Sequence, residues 1–159
     1  MDYKKINRRN FIKQSALASA SLTFMSSRIS ASTKKFPNLR LGVIGTGLRG
    51  QWMTNLCLLR NDVDIKAICD IDSEMINKTL NIIKKAGGKP PDVYKNGQHD
   101  FLNLVQRDDL DAVYIATPWE WHHPMAVAAM KQGKHVGVEC PAALKTKDLW
   151  DLVNVSEKE

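Results

Sequence analysis

The chain has 159 residues, 43% hydrophobic and 25% charged, enough for one ordinary domain with a buried core. Its net charge of +6 is uneven: residues 1–40 hold nine of the 23 Lys/Arg and one of the 17 acids, +8, which leaves −2 on the rest. The basic balance therefore belongs to an N-terminal leader, and the absence of an aromatic-interleaved basic patch argues against a nucleic-acid partner. Cys57, Cys69 and Cys140 show no paired spacing, so neither a metal site nor a disulfide framework is indicated.

Residues 1–36 read as leader and linker. Asn7-Arg8-Arg9-Asn10-Phe11-Ile12-Lys13 precedes a mild apolar stretch, Ala16 to Met25, which is too short and too rich in Ser to span a bilayer. Twin arginines ahead of Phe-Ile-Lys and a weak apolar region are similar to a twin-arginine export signal, with a disordered or amphipathic N-terminal tail as the alternative. Ala18-Ser19-Ala20 and Ile29-Ser30-Ala31 leave two cleavage points open. This reading sends a folded, cofactor-loaded protein through export machinery to the periplasm or cell envelope. A Ser-rich, then basic linker ends at Phe36-Pro37, and the remaining domain covers 37–159.

The domain opens on a short apolar strand, Leu41 to Ile44, which feeds Gly45-Thr46-Gly47-Leu48-Arg49-Gly50, a G-x-G-x-x-G spacing. A helical pattern follows with apolar positions Leu48, Trp52, Leu56 and Leu59. In a strand–turn–helix context Gly45 allows the tight turn, Gly47 lets backbone approach a pyrophosphate, and Gly50 lets helix pack on strand. Val63 to Ile71 reads as a second strand. A helix then starts at Asp72-Ser73-Glu74, with Ile76, Leu80 and Ile83 apolar, and ends at Gly87-Gly88. A short strand at Val93-Tyr94, a helix from Phe101 to Gln106 and a strand from Asp111 to Thr117 come next. A helix from about His122 to Gln132, a strand from His135 to Glu139 and a helix from Thr146 to Glu159 complete the chain. Near-continuous apolar strands alternating with helices predict an α/β fold, a doubly wound parallel sheet of the Rossmann type.

Ligands of such a sheet lie beyond the carboxyl ends of its strands. Asp70, 20 residues after Gly50, stands where a carboxylate accepts from ribose hydroxyls and repels a 2′-phosphate, which favours NAD over NADP; the alternative is a capping or solvated Asp. Leu48 by backbone and Arg49 by guanidinium are placed to line the nucleotide. Trp119, Glu120, Trp121, His122 and His123 crowd the end of the third clear strand, where a nicotinamide belongs, unless the tryptophans merely cover the sheet edge. Glu139 is either a buried capping carboxylate or a cofactor contact.

Two segments, AVYIATP and HHPMAVAAMKQGKHVGVE with a following Pro, are similar to the N-terminal domain of the Gfo/Idh/MocA oxidoreductase family. The resemblance implies a Rossmann domain coupled to a second α/β domain holding most of the substrate site. Sugar dehydrogenases of that family read Glu-Lys-Pro, their lysine touching the hydroxyl that is oxidised. Here Cys140 replaces the lysine, and a thiol supplies no cationic donor. That departure, together with ATPWEWHHPMAVAAMKQGKH and VECPAALKTKDLWDLVNVSEKE, resembles glycoside hydrolase family 109, whose known members are NAD-dependent α-N-acetylgalactosaminidases.

The resemblance implies NAD contacts at Leu48-Arg49, Asp70, Trp119 to His122, and Glu139-Cys140, beside the glycines. It implies cleavage of terminal α-linked N-acetylgalactosamine by transient C3 oxidation, elimination, water addition and re-reduction, with NAD recycled. No residue is assigned as acid or base, although His122 or His123 could assist. The family's continuation into a substrate domain leads to the expectation that this chain is the NAD-binding part alone and is inactive by itself. Two alternatives stay open: an NAD-dependent sugar or inositol dehydrogenase, and a non-enzymatic nucleotide-binding module. A homo-oligomer is compatible with either.

Overall fold

In a computed structural model of the protein, residues 37–159 are described. The expected leader, 1–36, lies outside the described residues. The elements alternate: β1 (Leu39–Ile44), α1 (Leu48–Leu58), β2 (Val63–Cys69), α2 (Ser73–Lys85), β3 (Asp92–Tyr94), α3 (Phe101–Val105), β4 (Ala112–Ile115), α4 (Trp119–Lys131), β5 (His135–Val138) and α5 (Thr146–Lys158). The strands form one parallel sheet in the order β3-β2-β1-β4-β5. Chain order reverses direction across the sheet between β1 and β4, and a crevice opens outside the carboxyl ends there.

Alternation along β1 shows why its apolar run is continuous. Leu41 and Val43 join Ile65, Ile68, Ile76 and Ile83 on the face covered by α1 and α2. Ile44 joins Val113, Ile115, Leu104 and Met125 on the face covered by α3 and α4. From Leu41 to Ile44 both faces are buried, so those four positions are not free to be polar, whereas Arg40 at the open start of the strand is only half-buried. Each such side chain contributes roughly 1.5–3 kcal/mol on burial.

Boundaries shift where side chains intervene. β2 stops at Cys69, two residues before the expected end, because the Asp70 carboxylate turns to accept from the backbone N–H groups of Thr46 and Asp72. α2 begins as expected: Asp72 caps it, accepting from the N–H groups of Glu74 and Met75. α4 begins at Trp119, three residues earlier than expected, with Pro118 at its N-cap and Pro124 inside it. Pro124 stands in the second turn, where it gives up the hydrogen bond to the Glu120 carbonyl and crowds that oxygen, and the helix continues past it to Lys131.

The largest correction concerns α1. Its apolar positions Leu48, Trp52, Leu56 and Leu59 all face outward, Leu48 and Leu59 at 87% and 78% exposure. The buried face holds Gly50 and Thr54, with Cys57 and Leu58 against the core. Gly50 sets that orientation: a Cβ there would lie 1.9 Å from the Gly45 carbonyl oxygen, so only glycine lets the helix seat this close. One helical period then carries Thr54, Cys57 and Leu58 underneath.

Candidate functional site

A cleft of about 480 Å³ opens at the carboxyl ends of β1, β2 and β4. Of the residues expected to hold a nucleotide, Gly45, Gly47, Leu48, Arg49, Asp70 and Trp121 line it. The glycine turn is built by exclusion. Gly45 has φ +89°, and a Cβ there would meet the Ala116 carbonyl carbon and oxygen at 2.6 Å. At Gly47 the opposite holds: an added Cβ would have no neighbour within 4 Å, because that side is the open cleft.

The two N-terminal helices differ in a way that decides what the cleft attracts. α2 has Asp72 as cap and Glu74 in its first turn. α1 has no side-chain cap and no acidic residue in its first turn. Its leading N–H groups and positive dipole end are therefore left for a ligand, and an anion fits. The open side of Gly47 and this uncapped helix suit a pyrophosphate.

At the end of β2, Asp70 braces the glycine turn. Its Oδ2 accepts from the Thr46 N–H at 2.6 Å and the Thr46 hydroxyl at 2.9 Å, and its Oδ1 accepts from the Asp72 N–H at 2.9 Å. The carboxylate thus pins the glycine turn to β2 while lining the cleft, with acceptor capacity left on Oδ1. Helix capping falls to Asp72 instead.

The Trp119–His123 segment divides. Trp121 lines the cleft, its ring edge-on to His99 and Phe101 at 5.6 and 6.2 Å. Trp119 and Glu120 point outward, Trp119 at 59% exposure. His122 is buried at 1% exposure, its Nδ1 lying 2.8 Å from the Pro141 carbonyl oxygen and its Nε2 2.8 Å from that of Thr117. Each ring nitrogen faces a backbone carbonyl, so the buried His122 sits between the loops leaving β4 and β5 with neither nitrogen turned to the cleft. His123 turns away to Asp151 of α5 at 2.8 Å. Crowding of these residues in sequence does not bring them together in one site: successive helical positions diverge by about 100°.

Glu139 is neither a buried cap nor free. Its Oε1 accepts from the Arg49 Nε–H at 2.7 Å and from the Tyr114 hydroxyl. The Arg49 guanidinium lies 4.3 Å from the centre of the Trp52 ring. The Tyr114 hydroxyl and then Arg49 hold the Glu139 carboxyl below the usual glutamate range. Burial, then the hydrogen bond to Glu139, pushes the Tyr114 phenol up to about 12, and the bond to Glu139 raises Arg49 in turn. Cys140 is exposed beside them. Burial pushes Cys69, on the cleft wall, up to about 12, and so keeps it a neutral thiol.

Sequence reasoning missed Tyr114, Thr46, Met75, Met125 and the Gly97-Gln98 turn, of which the last four border or brace the cleft. Thr46 carried a signal, being the polar x of the G-x-G. Tyr114 carried another, as the one polar-tipped residue of its strand. No cluster of three or more His, Cys, Asp or Glu able to hold a metal occurs among the described residues.

Comparison with known proteins gives the setting. Residues 39–159 match the profile of GFO_IDH_MocA, described as an oxidoreductase family with an NAD-binding Rossmann fold. A glycosyl hydrolase family 109 protein of Saccharopolyspora erythraea is 49% identical over 120 residues, which is 76% of this chain and 26% of that protein. An alpha-N-acetylgalactosaminidase of Tannerella forsythia is 49% identical over 120 residues, 75% of this chain and 26% of that one. Among solved structures, myo-inositol dehydrogenase from Lactobacillus casei, in complex with NAD(H) and myo-inositol, superposes with a TM-score of 0.66 over 77% of this chain and 34% of its own, at 24% identity. The last shares the fold. The chain spans about a quarter of the length of the first two relatives.

Proposed function

The chain belongs to the Gfo/Idh/MocA oxidoreductase family, with its NAD-binding Rossmann fold, and on that premise we propose that it is the NAD-binding part of a glycosidase that removes terminal α-linked N-acetylgalactosamine. The observation that carries the cofactor half is the uncapped, acid-free start of α1 above the open side of Gly47. The substrate half rests on the relatives named as family 109 hydrolases and as an alpha-N-acetylgalactosaminidase. Bound NAD supplies a hydride acceptor and donor, so that transient oxidation at the sugar's C3 permits elimination, water addition and re-reduction with no net NADH.

The chain's own residues serve binding and orientation. Leading N–H groups of α1 receive the pyrophosphate, Asp70 accepts from ribose while bracing the turn, and Trp121 forms an apolar wall. Arg49 and Glu139 frame the mouth of the cleft as an ion pair. Acid–base groups and the sugar-binding surface belong, in this reading, to sequence matching the rest of the relatives' length. We also propose export through the twin-arginine pathway from the Asn7–Lys13 motif; replacing Arg8 and Arg9 by lysine should then leave the protein in the cytoplasm.

The test has two stages. Denaturing the purified chain and weighing any released nucleotide should yield NAD or NADH; a folded chain that carries none and binds none on titration refutes the cofactor reading. The full-length natural protein should then release N-acetylgalactosamine from an α-linked chromogenic glycoside without accumulating NADH. Stoichiometric NADH from a free sugar or inositol would establish the dehydrogenase alternative instead. Cys140, standing where those dehydrogenases have lysine, weighs against that outcome. NAD binding without either activity would establish the non-enzymatic module.

A further inference from the structure

Tyr114 lies on an interior strand of the sheet, and its hydroxyl goes to Glu139, the partner of the cleft-lining Arg49. Its partner across the ladder is Gly137 of β5. With no side chain at 137 the ring lies over that residue, and a Cβ there would sit 3.3 Å from Tyr114 Cδ2. Residues 137 and 139 share a face of the extended chain, which keeps its ladder bond from the Glu139 N–H to the Ile115 carbonyl at 3.0 Å. A ring laid along β5 therefore delivers its phenol to Glu139 two positions on, and Oη donates to Oε1. Arg49 Nε donates to the same oxygen, and Trp52 backs the guanidinium. The relay runs from the sheet interior to the glycine loop: Tyr114, Glu139, Arg49.

We propose that Tyr114 is a positioning residue for the cofactor: by anchoring Glu139 it fixes the Arg49 guanidinium at the mouth of the dinucleotide cleft, and Gly137 stays small to let it do so. The assignment rests on the NAD reading above. Arg49 from α1 and Tyr114 from β4 are the titratable groups facing Glu139, with Cys140 next in the chain and its backbone N–H also favouring the carboxylate. Tyr114 is the largest cause holding the Glu139 carboxyl low, ahead of Arg49. Because the phenol itself titrates only at about 12, it stays a donor throughout the working range. Without it, Glu139 is held from one side only, and Arg49 loses a fixed partner.

The test is Tyr114→Phe in the full chain, with NAD as the probe. NAD affinity at pH 7 should fall roughly fivefold, the worth of one hydrogen bond of about 1 kcal/mol. The acid limb of NAD binding, and the titration of the Glu139 carboxyl carbon read by NMR, should both move to higher pH. Gly137→Ala, which keeps the phenol but crowds its ring, should shift both in the same direction. In a Glu139→Gln background, Tyr114→Phe should cost nothing further. Wild-type affinity and an unmoved titration in Tyr114→Phe, or losses that simply add in the double variant, overturn the assignment. A wild-type chain that binds no NAD overturns the cofactor reading itself, and is recognised from the wild type alone.

Discussion

Gly47→Ala and Gly50→Ala separate the two kinds of work done by the glycine turn. Gly47 has φ −64° and ψ −168°, extended backbone open to any residue, and an added Cβ meets nothing within 4 Å. In the cofactor-free chain alanine should therefore be neutral or raise stability by about 0.4–1 kcal/mol, through the smaller entropy of the unfolded chain. Its methyl projects into the cleft where backbone must approach pyrophosphate, so NAD affinity should fall at least tenfold, about 1.4 kcal/mol. Gly50→Ala acts on the fold instead. Its Cβ would overlap the Gly45 carbonyl oxygen at 1.9 Å, a backbone atom that cannot rotate away. Pushing α1 off β1 should cost roughly 2–3 kcal/mol, the upper part of the range of core overpacking, because the obstacle is backbone. At about 4 °C per kcal/mol, Tm drops by roughly 8–12 °C. Thermal unfolding followed by circular dichroism and calorimetric titration with NAD measure the two effects separately. A Gly47→Ala chain that binds NAD as the wild type does would refute the claim that the ligand backbone passes over Gly47.

Three further outcomes follow from the same geometry. Asp70→Asn should narrow the preference for NAD over NADP and loosen the glycine turn by about 1–2 kcal/mol, since a carboxylate accepting three bonds becomes an amide with fewer acceptor sites; unchanged NAD and NADP dissociation constants would count against it. At the opposite end of the sheet, the Arg40 guanidinium and backbone N–H hold Asp111 down to about 2. A folded value below the ordinary 3.8 stabilises the protein above that value, and the stabilisation is lost as pH falls toward about 2. Asp111→Asn should therefore flatten the acid limb of stability between pH 4 and 2, measured by urea midpoints; a parallel acid limb would show the pair to be inert. Alkylation at pH 8 should label exposed Cys140 long before Cys69, whose thiol is buried and pushed up to about 12. Peptide mapping showing Cys69 labelled first would contradict its placement in the wall.

Much of this fold was legible because its signals are local. Where a strand is buried on both faces it is apolar, so Leu41–Ile44 of β1, Ala67–Cys69 of β2 and most of β4 appear as runs, with polar residues confined to the open starts of β1 and β2; capping and glycine stops mark α2 at both ends. The G-x-G-x-x-G turn is likewise local, since positive φ at Gly45 and lack of a Cβ at Gly50 are requirements of neighbouring backbone. Which face of α1 is buried was not local. Periodicity singled out Leu48, Trp52, Leu56 and Leu59, but close approach at Gly50 outweighs hydrophobic patterning, because no side chain can share the space of the Gly45 carbonyl. The same holds at the cleft. Asp70, His122 and Glu139 were visible as polar residues at strand ends, yet what they bind is set by strands that meet only on folding. β2 carries Asp70 to Thr46, β5 carries Pro141 to His122, and β4 lays Tyr114 across Gly137 to reach Glu139. Sequence alone specified the fold and the cofactor turn through short-range sterics and burial; the bonds from Asp70 to Thr46, His122 to Pro141, and Glu139 to Tyr114 and Arg49 join residues 19 to 90 apart, and only the packed sheet brings those within bonding distance.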